Sequence, residues 1–202
     1  MRNLGCICYM NSMMQQFFMI PVLRYNLLCI DDGKAEELVE YKNKMVDDNM
    51  FHQMQKLFAH LELSERMDYN PFGFCFAFKE FDGNPTIISE QKDAQEFLNL
   101  LFDRLETALK PTNRKYLLQG IFGGKQCSQM VCTECGKVKN RHEDFLNLSL
   151  NIKDIKSVYE SLQKQVDGET ISDYQCDGCN RKVDLSRRTL IAETPNVLIV
   201  HL

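Results

Sequence analysis

The chain has 202 residues, 24 Lys and Arg against 28 Asp and Glu, a formal net charge of −4 and 44% hydrophobic residues. That is enough apolar material for a packed core in one large domain or two small ones, and it excludes wholesale disorder. The mildly acidic balance gives no bulk attraction to nucleic acid or anionic membranes, no apolar run approaches the ~18–20 residues of a membrane span, and no signal peptide is expected because the first residues lack an apolar core segment. In chain order, Met10, Met13, Met14, Phe17 and Phe18 recur at helical spacing and predict a first helix that Pro21 follows. Ala35, Leu38, Val39 and Met45-Val46 predict a second helix, and Met50, Met54, Leu57, Phe58 and Leu61 a third, entered through the capping residues Asp47-Asp48-Asn49. Residues 64–88 mix Asn70-Pro71, Gly73, Asp82-Gly83 and Asn84-Pro85 with Phe, which reads as an ordered loop with at most short elements. The clearest helix runs through Ala94, Phe97, Leu98, Leu101, Leu105 and Ala108, capped by Ser89 and ended by Lys110-Pro111.

After Pro111 the texture becomes that of strands. Gly120, Gly123 and Gly124 punctuate it, and Phe145-Leu146-Asn147-Leu148-Ser149-Leu150 alternates with period two. A short helix through Ile155, Val158, Tyr159, Leu162 and Val166 is expected, capped by Asp154 and ended by Gly168. Val197–Leu202 is a continuous apolar run that reads as a strand buried on both faces.

The nine cysteines are an odd number in a chain that is not short, which argues against a secreted disulfide framework and for intracellular thiols, cytoplasmic or nuclear, used for metal or for chemistry. Two C-x-x-C pairs stand out, Cys132-Thr133-Glu134-Cys135-Gly136 and Cys176-Asp177-Gly178-Cys179. Each has a glycine where a knuckle turn needs one, and four thiolates suit tetrahedral Zn²⁺ with no open position for water, so the expected role is structural. The other reading is four buried free thiols. The separation of the pairs would make such a site clamp two distant hairpin tips.

Asn3-Leu4-Gly5-Cys6-Ile7-Cys8-Tyr9-Met10-Asn11-Ser12 leads directly into the first helix. A thiol at the positive end of a helix dipole is favoured as thiolate, the form that attacks an acyl carbon, and the Asn3 amide lies near enough in sequence to donate to an oxyanion. The plainer reading is a buried cysteine beginning a core helix.

These residues resemble the ubiquitin-specific proteases, the papain-like deubiquitinases. Asn3-Leu4-Gly5, Cys8-Tyr9-Met10-Asn11-Ser12 and Gln15 look like the family's cysteine box, and Gln91-Lys92-Asp93-Ala94-Gln95-Glu96-Phe97-Leu98 like its Q-x-D-A-x-E-F box. Phe122-Gly123-Gly124 through Cys132 and Cys135, then Glu143–Leu150, look like its first knuckle and the following strand, and Tyr174–Cys179 and Pro195–Leu202 like its second knuckle and the strand entering the palm. The five boxes keep the family's order, and the texture is similar to its very large multidomain members.

The resemblance implies an α+β fold of thumb–fingers–palm type. Residues 1–115 would be the helical thumb and 116–202 the β-rich fingers with the first palm strand, the palm being incomplete. By position Cys8 matches the nucleophile, Asn3 the oxyanion donor, and Asp93 and Gln95 the residues that hold the extended ubiquitin tail; Cys132, Cys135, Cys176 and Cys179 match the zinc knuckles. Asp93 also reads as a helix-start carboxylate. The implied activity is thiol-dependent hydrolysis at the ubiquitin carboxyl terminus, with ubiquitin and ubiquitinated proteins as partners and neither nucleic acid nor membrane. His52, His60, His142 and His201 are the only histidines, and none sits in the family's His box, so the chain is expected to be a partial catalytic domain without turnover of its own. The other readings are an inactive ubiquitin-binding module and a zinc-ribbon interaction protein. Two departures mark the cysteine box: Ile7 stands where the family usually has Thr, and Cys6 forms a C-x-C with Cys8, either as a packed side chain or as a second thiol able to resolve an oxidised Cys8. A palm cut to one strand would leave Val197–Leu202 without sheet partners.

Overall fold

In the computed structural model, which describes residues 1–41 and 44–202, the first helix α1 spans Cys8–Phe18 and buries Met10, Met14 and Phe17 along one stripe. Pro21 both ends this run and begins α2 (Pro21–Cys29), because a proline that cannot continue one helix is preorganised for the first position of the next. Helix α3 (Met50–Leu63) follows, capped by Asn49, whose side-chain oxygen accepts from the Phe51 and His52 amides. A short α4 (Phe72–Ala77) lies within the turn-rich stretch, and α5 (Ala94–Leu109) is the longest helix, with Phe97, Leu98, Leu101 and Leu105 buried. Ring contacts join these pieces: Tyr9 meets Phe97 edge-on at 5.5 Å, Phe78 lies 5.0 Å from Phe97, and Phe17 stacks on Phe102 at 5.8 Å.

The second predicted helix is instead an antiparallel hairpin, β1 (Leu38–Tyr41) with β2 (Lys44–Asp47), in the register Leu38↔Asp47 to Tyr41↔Lys44. Residues 42–43 of that prediction lie outside the described residues. Tertiary contacts decide against the helix. The Tyr41 ring packs 4.9 Å from Phe76 and 5.7 Å from Phe72, and Asp47 is drawn inward by cations on α3. The Asp32 and Asp47 carboxylates are each 2% exposed and flank His52, whose Nε2 lies 3.0 Å from Asp32 and Nδ1 3.5 Å from Asp47; Lys56 Nζ reaches Asp47 at 2.9 Å.

Burial pushes both carboxyls up, but other contacts outweigh it and hold them below the ordinary carboxylate range. These are the Lys34 amide, His52 and Asn49 at Asp32, and Lys56, the Asn49 amide and the His52 charge at Asp47. The unfolded chain therefore binds protons first, at about pH 3.9. The stabilisation is complete above that value and is lost as pH falls through the lower folded values. Urea unfolding at pH 7 and pH 3 is expected to show this acid loss in the native chain and a smaller one in Asp47→Asn; equal losses would contradict it.

The chain divides into two compact units, Met1–Leu117 and Leu118–Leu202. The short helix α6 (Leu117–Phe122) opens the second, which is built on a four-stranded antiparallel sheet in the order β4-β3-β7-β6. Its strands are β3 (Gly124–Cys132), β4 (Val138–Phe145), β6 (Glu169–Cys176) and β7 (Arg181–Glu193). Gly124 is required by close approach, since a β-carbon there would stand 2.4 Å from the Phe145 ring. Helix α7 (Val158–Asp167) is capped by Ser157 rather than by Asp154, which sits in a turn at φ 58°, and it ends on Gly168 at φ 80°. Leu162 of α7 packs with Phe145, Leu148, Leu150 and Val200 in a small satellite core.

The closing run is not buried on both faces, and it does not lack partners. Only β8 (Val200–His201) is a strand, paired in parallel with β5 (Leu148–Ser149), while Leu198 and Leu202 are exposed. Hydrogen bonds donated by Leu148 N to Ile199 O and by Leu150 N to His201 O hold it.

Candidate active site and candidate metal centre

Cys8 is the first residue of α1 and its side chain is exposed, which rules out the plainer reading of a buried thiol. Ile7 occupies the capping position without a side-chain hydrogen bond, and the first turn holds no acidic residue, so the amide N–H groups at this end face outward with no competing anion. The segment entering α1 is held by three hydrogen bonds. Arg2 N donates to Tyr69 O at 2.8 Å, the buried Asn11 amide donates to Arg2 O at 3.1 Å, and Cys6 N donates to Ile88 O at 2.7 Å. Gly5 lies so close to Ile88 that an added β-carbon would stand 2.3 Å from its carbonyl oxygen, which explains glycine before the cysteines. Asn3 is exposed in this segment; its Oδ1 accepts weakly from Gly5 N at 3.4 Å, and among the described residues its Nδ2 donates to nothing. Cys75 lies in this unit's interior instead: burial pushes its thiol up to about 12, so it packs rather than reacts.

The Asn11 role was not foreseen. Its signal in the sequence is a polar residue at a core-facing position of a helix, adjacent to Met10 and three before Met14, where a buried amide must find a partner.

Asp93 caps α5, its Oδ1 accepting from Gln95 N at 2.7 Å and Glu96 N at 3.1 Å; the predicted cap Ser89 lies outside the helix. Gln95, in the first turn, reaches Asn99 at 3.5 Å. Tyr9, beside Cys8, rests on Phe97, so the cysteine end of α1 and the aspartate end of α5 are joined through ring packing. Neither histidine of the first unit serves Cys8. His52 lies between Asp32 and Asp47, His60 packs 4.8 Å from the Tyr69 ring, and among the described residues neither bonds to the Cys8 thiol. His142 is exposed on β4 and His201 lies in β8.

In the second unit the two C-x-x-C pairs form the turns β3–β4 and β6–β7, which lie at one end of the sheet because β3 and β7 are neighbours. The four sulfurs lie within 4.8 Å of one another. Cys132 Sγ is 3.7 Å from Cys179 Sγ, and Cys135 Sγ is 3.8 Å from Cys176 Sγ. Sulfurs at about 2.3 Å from one central ion stand about 3.8 Å apart in a tetrahedron, so the set fits a four-thiolate metal ion. The turns supply N–H···S bonds from Cys135 N to Cys132 at 3.5 Å and from Gly178 N to Cys176 at 3.3 Å. Gly136 takes φ 70°, and a β-carbon on Gly178 would press on the Cys135 sulfur at 3.0 Å. The Cys135 and Glu134 amides draw the Cys132 thiol down to about 6, while its hydrogen bonds with Cys135, burial and the other thiols push Cys179 up to about 12. Four thiols this close do not all ionise beside one another, and a divalent cation removes that conflict.

Among the described residues, no helix is long and apolar enough to cross a membrane. A family model described as ubiquitin carboxyl-terminal hydrolase matches residues 1–202. The chain is 34% identical over 205 residues to ubiquitin carboxyl-terminal hydrolase 24 of Homo sapiens, covering all of this chain and 7% of that protein. It is 31% identical over 240 residues to ubiquitin carboxyl-terminal hydrolase 9X of Mus musculus, covering all of this chain and 9% of that protein. The chain thus spans less than a tenth of the length of these curated relatives. Among solved structures, a chain of the SAGA Ubp8/Sgf11/Sus1/Sgf73 DUB module bound to ubiquitin aldehyde shares the fold at a TM-score of 0.76 and 24% identity, over 99% of this chain and 46% of that one. With a helical first unit and a β-rich second unit, the fold is α+β. The match over every residue settles the family: the chain belongs to the ubiquitin carboxyl-terminal hydrolases.

Proposed function

We propose that this chain is the thiol-bearing and ubiquitin-gripping part of a deubiquitinase, intracellular in the cytoplasm or nucleus, with residues 1–115 as thumb and 116–202 as fingers and first palm strand. The observation that carries the reading is Cys8, exposed at the uncapped start of α1 behind a segment that three hydrogen bonds hold in place. In this reading the Cys8 thiolate attacks the carbonyl carbon at the ubiquitin carboxyl terminus, and the unengaged Asn3 Nδ2 donates to the oxyanion that forms. Asp93 and Gln95 hold the extended tail ahead of the scissile bond. Cys132, Cys135, Cys176 and Cys179 would hold zinc, which supplies structure alone because four thiolates leave no position for a reacting group. The imidazole that shuttles the proton is none of the four present, since His52 and His60 are engaged elsewhere and neither His142 nor His201 falls in a His-box pattern.

A ubiquitin bearing an electrophile at its carboxyl terminus is expected to add once to the chain, and digestion is expected to place the adduct on Cys8. Adduct on Cys29, or none while ubiquitin still binds, would defeat the nucleophile assignment. The second reading, a ubiquitin-binding module without turnover, is favoured for the isolated chain by the same histidine positions. It predicts ubiquitin binding with no release from a ubiquitin–fluorophore conjugate.

A further inference from the structure

Cys6 has no part in the hydrolysis outlined above, yet it is exposed two residues before Cys8, with the fully buried Ile7 between them. The backbone of Ile7 decides what the pair can do. Across an extended residue the flanking α-carbons stand near 7 Å, beyond the usual reach of a disulfide. Ile7 instead sits at φ −99° and ψ 23°, in the bridge region, which folds the Cys6 and Cys8 α-carbons to about 5.5–6 Å, inside that reach. Cys6 is held by the hydrogen bond from its amide to Ile88 O at 2.7 Å and Cys8 by membership of α1, so the two α-carbons keep this separation.

We propose that Cys6 is a resolving thiol that joins Cys8 in a reversible disulfide when hydrogen peroxide oxidises the nucleophile. The proposal rests on the reading of Cys8 as the reactive thiol. In the first step the Cys8 thiolate attacks one oxygen of the peroxide, the O–O bond breaks, hydroxide leaves, and Cys8 becomes a sulfenic acid. In the second the Cys6 sulfur attacks the Cys8 sulfur, the S–O bond breaks, water leaves with the Cys6 proton, and both thiols end oxidised by two electrons supplied to one peroxide. A single-residue ring is strained and lies at the surface, the two traits of disulfides that thiol reductants reopen readily. The pair would switch Cys8 off under oxidant and keep it from the irreversible sulfinic and sulfonic states.

Cleavage after Arg2 and Arg24 releases Asn3–Arg24, which holds Cys6 and Cys8 and no other cysteine. After brief peroxide treatment of the whole chain, this peptide is expected to have lost two hydrogens, with fragment ions separating thiol changes from methionine oxidation. Dithiothreitol then restores both the peptide mass and labelling of Cys8 by the ubiquitin electrophile. In Cys6→Ser, the same exposure is expected to leave sulfinic or sulfonic acid on Cys8 and a permanent loss of labelling. Sulfenic acid trapped on Cys8 by dimedone to the same extent in both proteins, with no linked peptide, overturns the proposal while leaving Cys8 as the nucleophile. A Cys8 that neither oxidises nor takes the electrophile overturns both.

Discussion

Removing the metal with a strong chelator, or replacing Cys176 with serine, is expected to loosen the turn-bearing end of the four-stranded sheet and to lower the melting temperature of the second unit by more than about 15 °C. The size follows from what the turns lack without an ion. Cys132, Cys176 and Val183 are buried there with only Tyr174 and Cys179 packed against them, which is too little apolar surface to close two turns. Four thiols within 4.8 Å of one another then repel as they ionise. Losing a structural metal is among the few single changes that exceed about 4 kcal/mol. Elemental analysis is expected to return one zinc per chain, unchanged in Cys29→Ser, whose thiol is exposed in the first unit. Protein purified free of zinc that melts like the native chain would refute the site.

The second large effect is expected at Asp93, where two roles meet in one carboxylate. As a cap it satisfies the Gln95 and Glu96 amides, a contribution of about 1 kcal/mol. As a tail contact it would supply charge-assisted hydrogen bonds worth about 1.5–3 kcal/mol each. Asn caps as well as Asp but carries no charge. Asp93→Asn is therefore expected to melt with the native chain and to bind ubiquitin roughly 10–100-fold more weakly, whereas Asp93→Ala loses both properties. Calorimetric titration with ubiquitin beside a thermal melt separates the roles. Native affinity in Asp93→Asn would leave Asp93 a cap and nothing more.

What the sequence disclosed and what it hid divide along a physical line. The knuckles were legible because their geometry is local: four consecutive residues fix each pair of sulfurs, and the glycines that permit the turns stand inside or beside them. The stripes of α1, α3 and α5 were legible because burial repeats at helical period. The β1–β2 hairpin was hidden because Tyr41 is held by Phe72 and Phe76 of α4, partners that no window around it contains. Helix α2 was hidden by taking Pro21 only as a stop, when it is also a start.

Both misplaced caps have one cause. Ser157 with Glu160, and Asp93 with Glu96, stand three apart at a helix entrance, and this pairing outranks a capping residue further upstream. The closing run was misjudged because apolar character alone does not reveal how many neighbours a strand will have; here β8 pairs over two residues only. At the cysteine box, the segment entering α1 is held by Tyr69 and Ile88, which lie far along the chain.

The placement of the four sulfurs has a consequence for how the sheet tolerates change. Because Cys132 ends β3 opposite Leu185 and Cys176 ends β6 opposite Arg181, an ion held by the four sulfurs would act as a pin through the alignment of three strands. Sliding β3 by one residue against β7 would carry its thiols about 3.3 Å out of the tetrahedron and turn every side chain on that strand to the opposite side. The stretch between Phe145 and Glu169 lies between the ends of β4 and β6 away from the cysteine turns, so a change of length there would leave the four sulfurs in place.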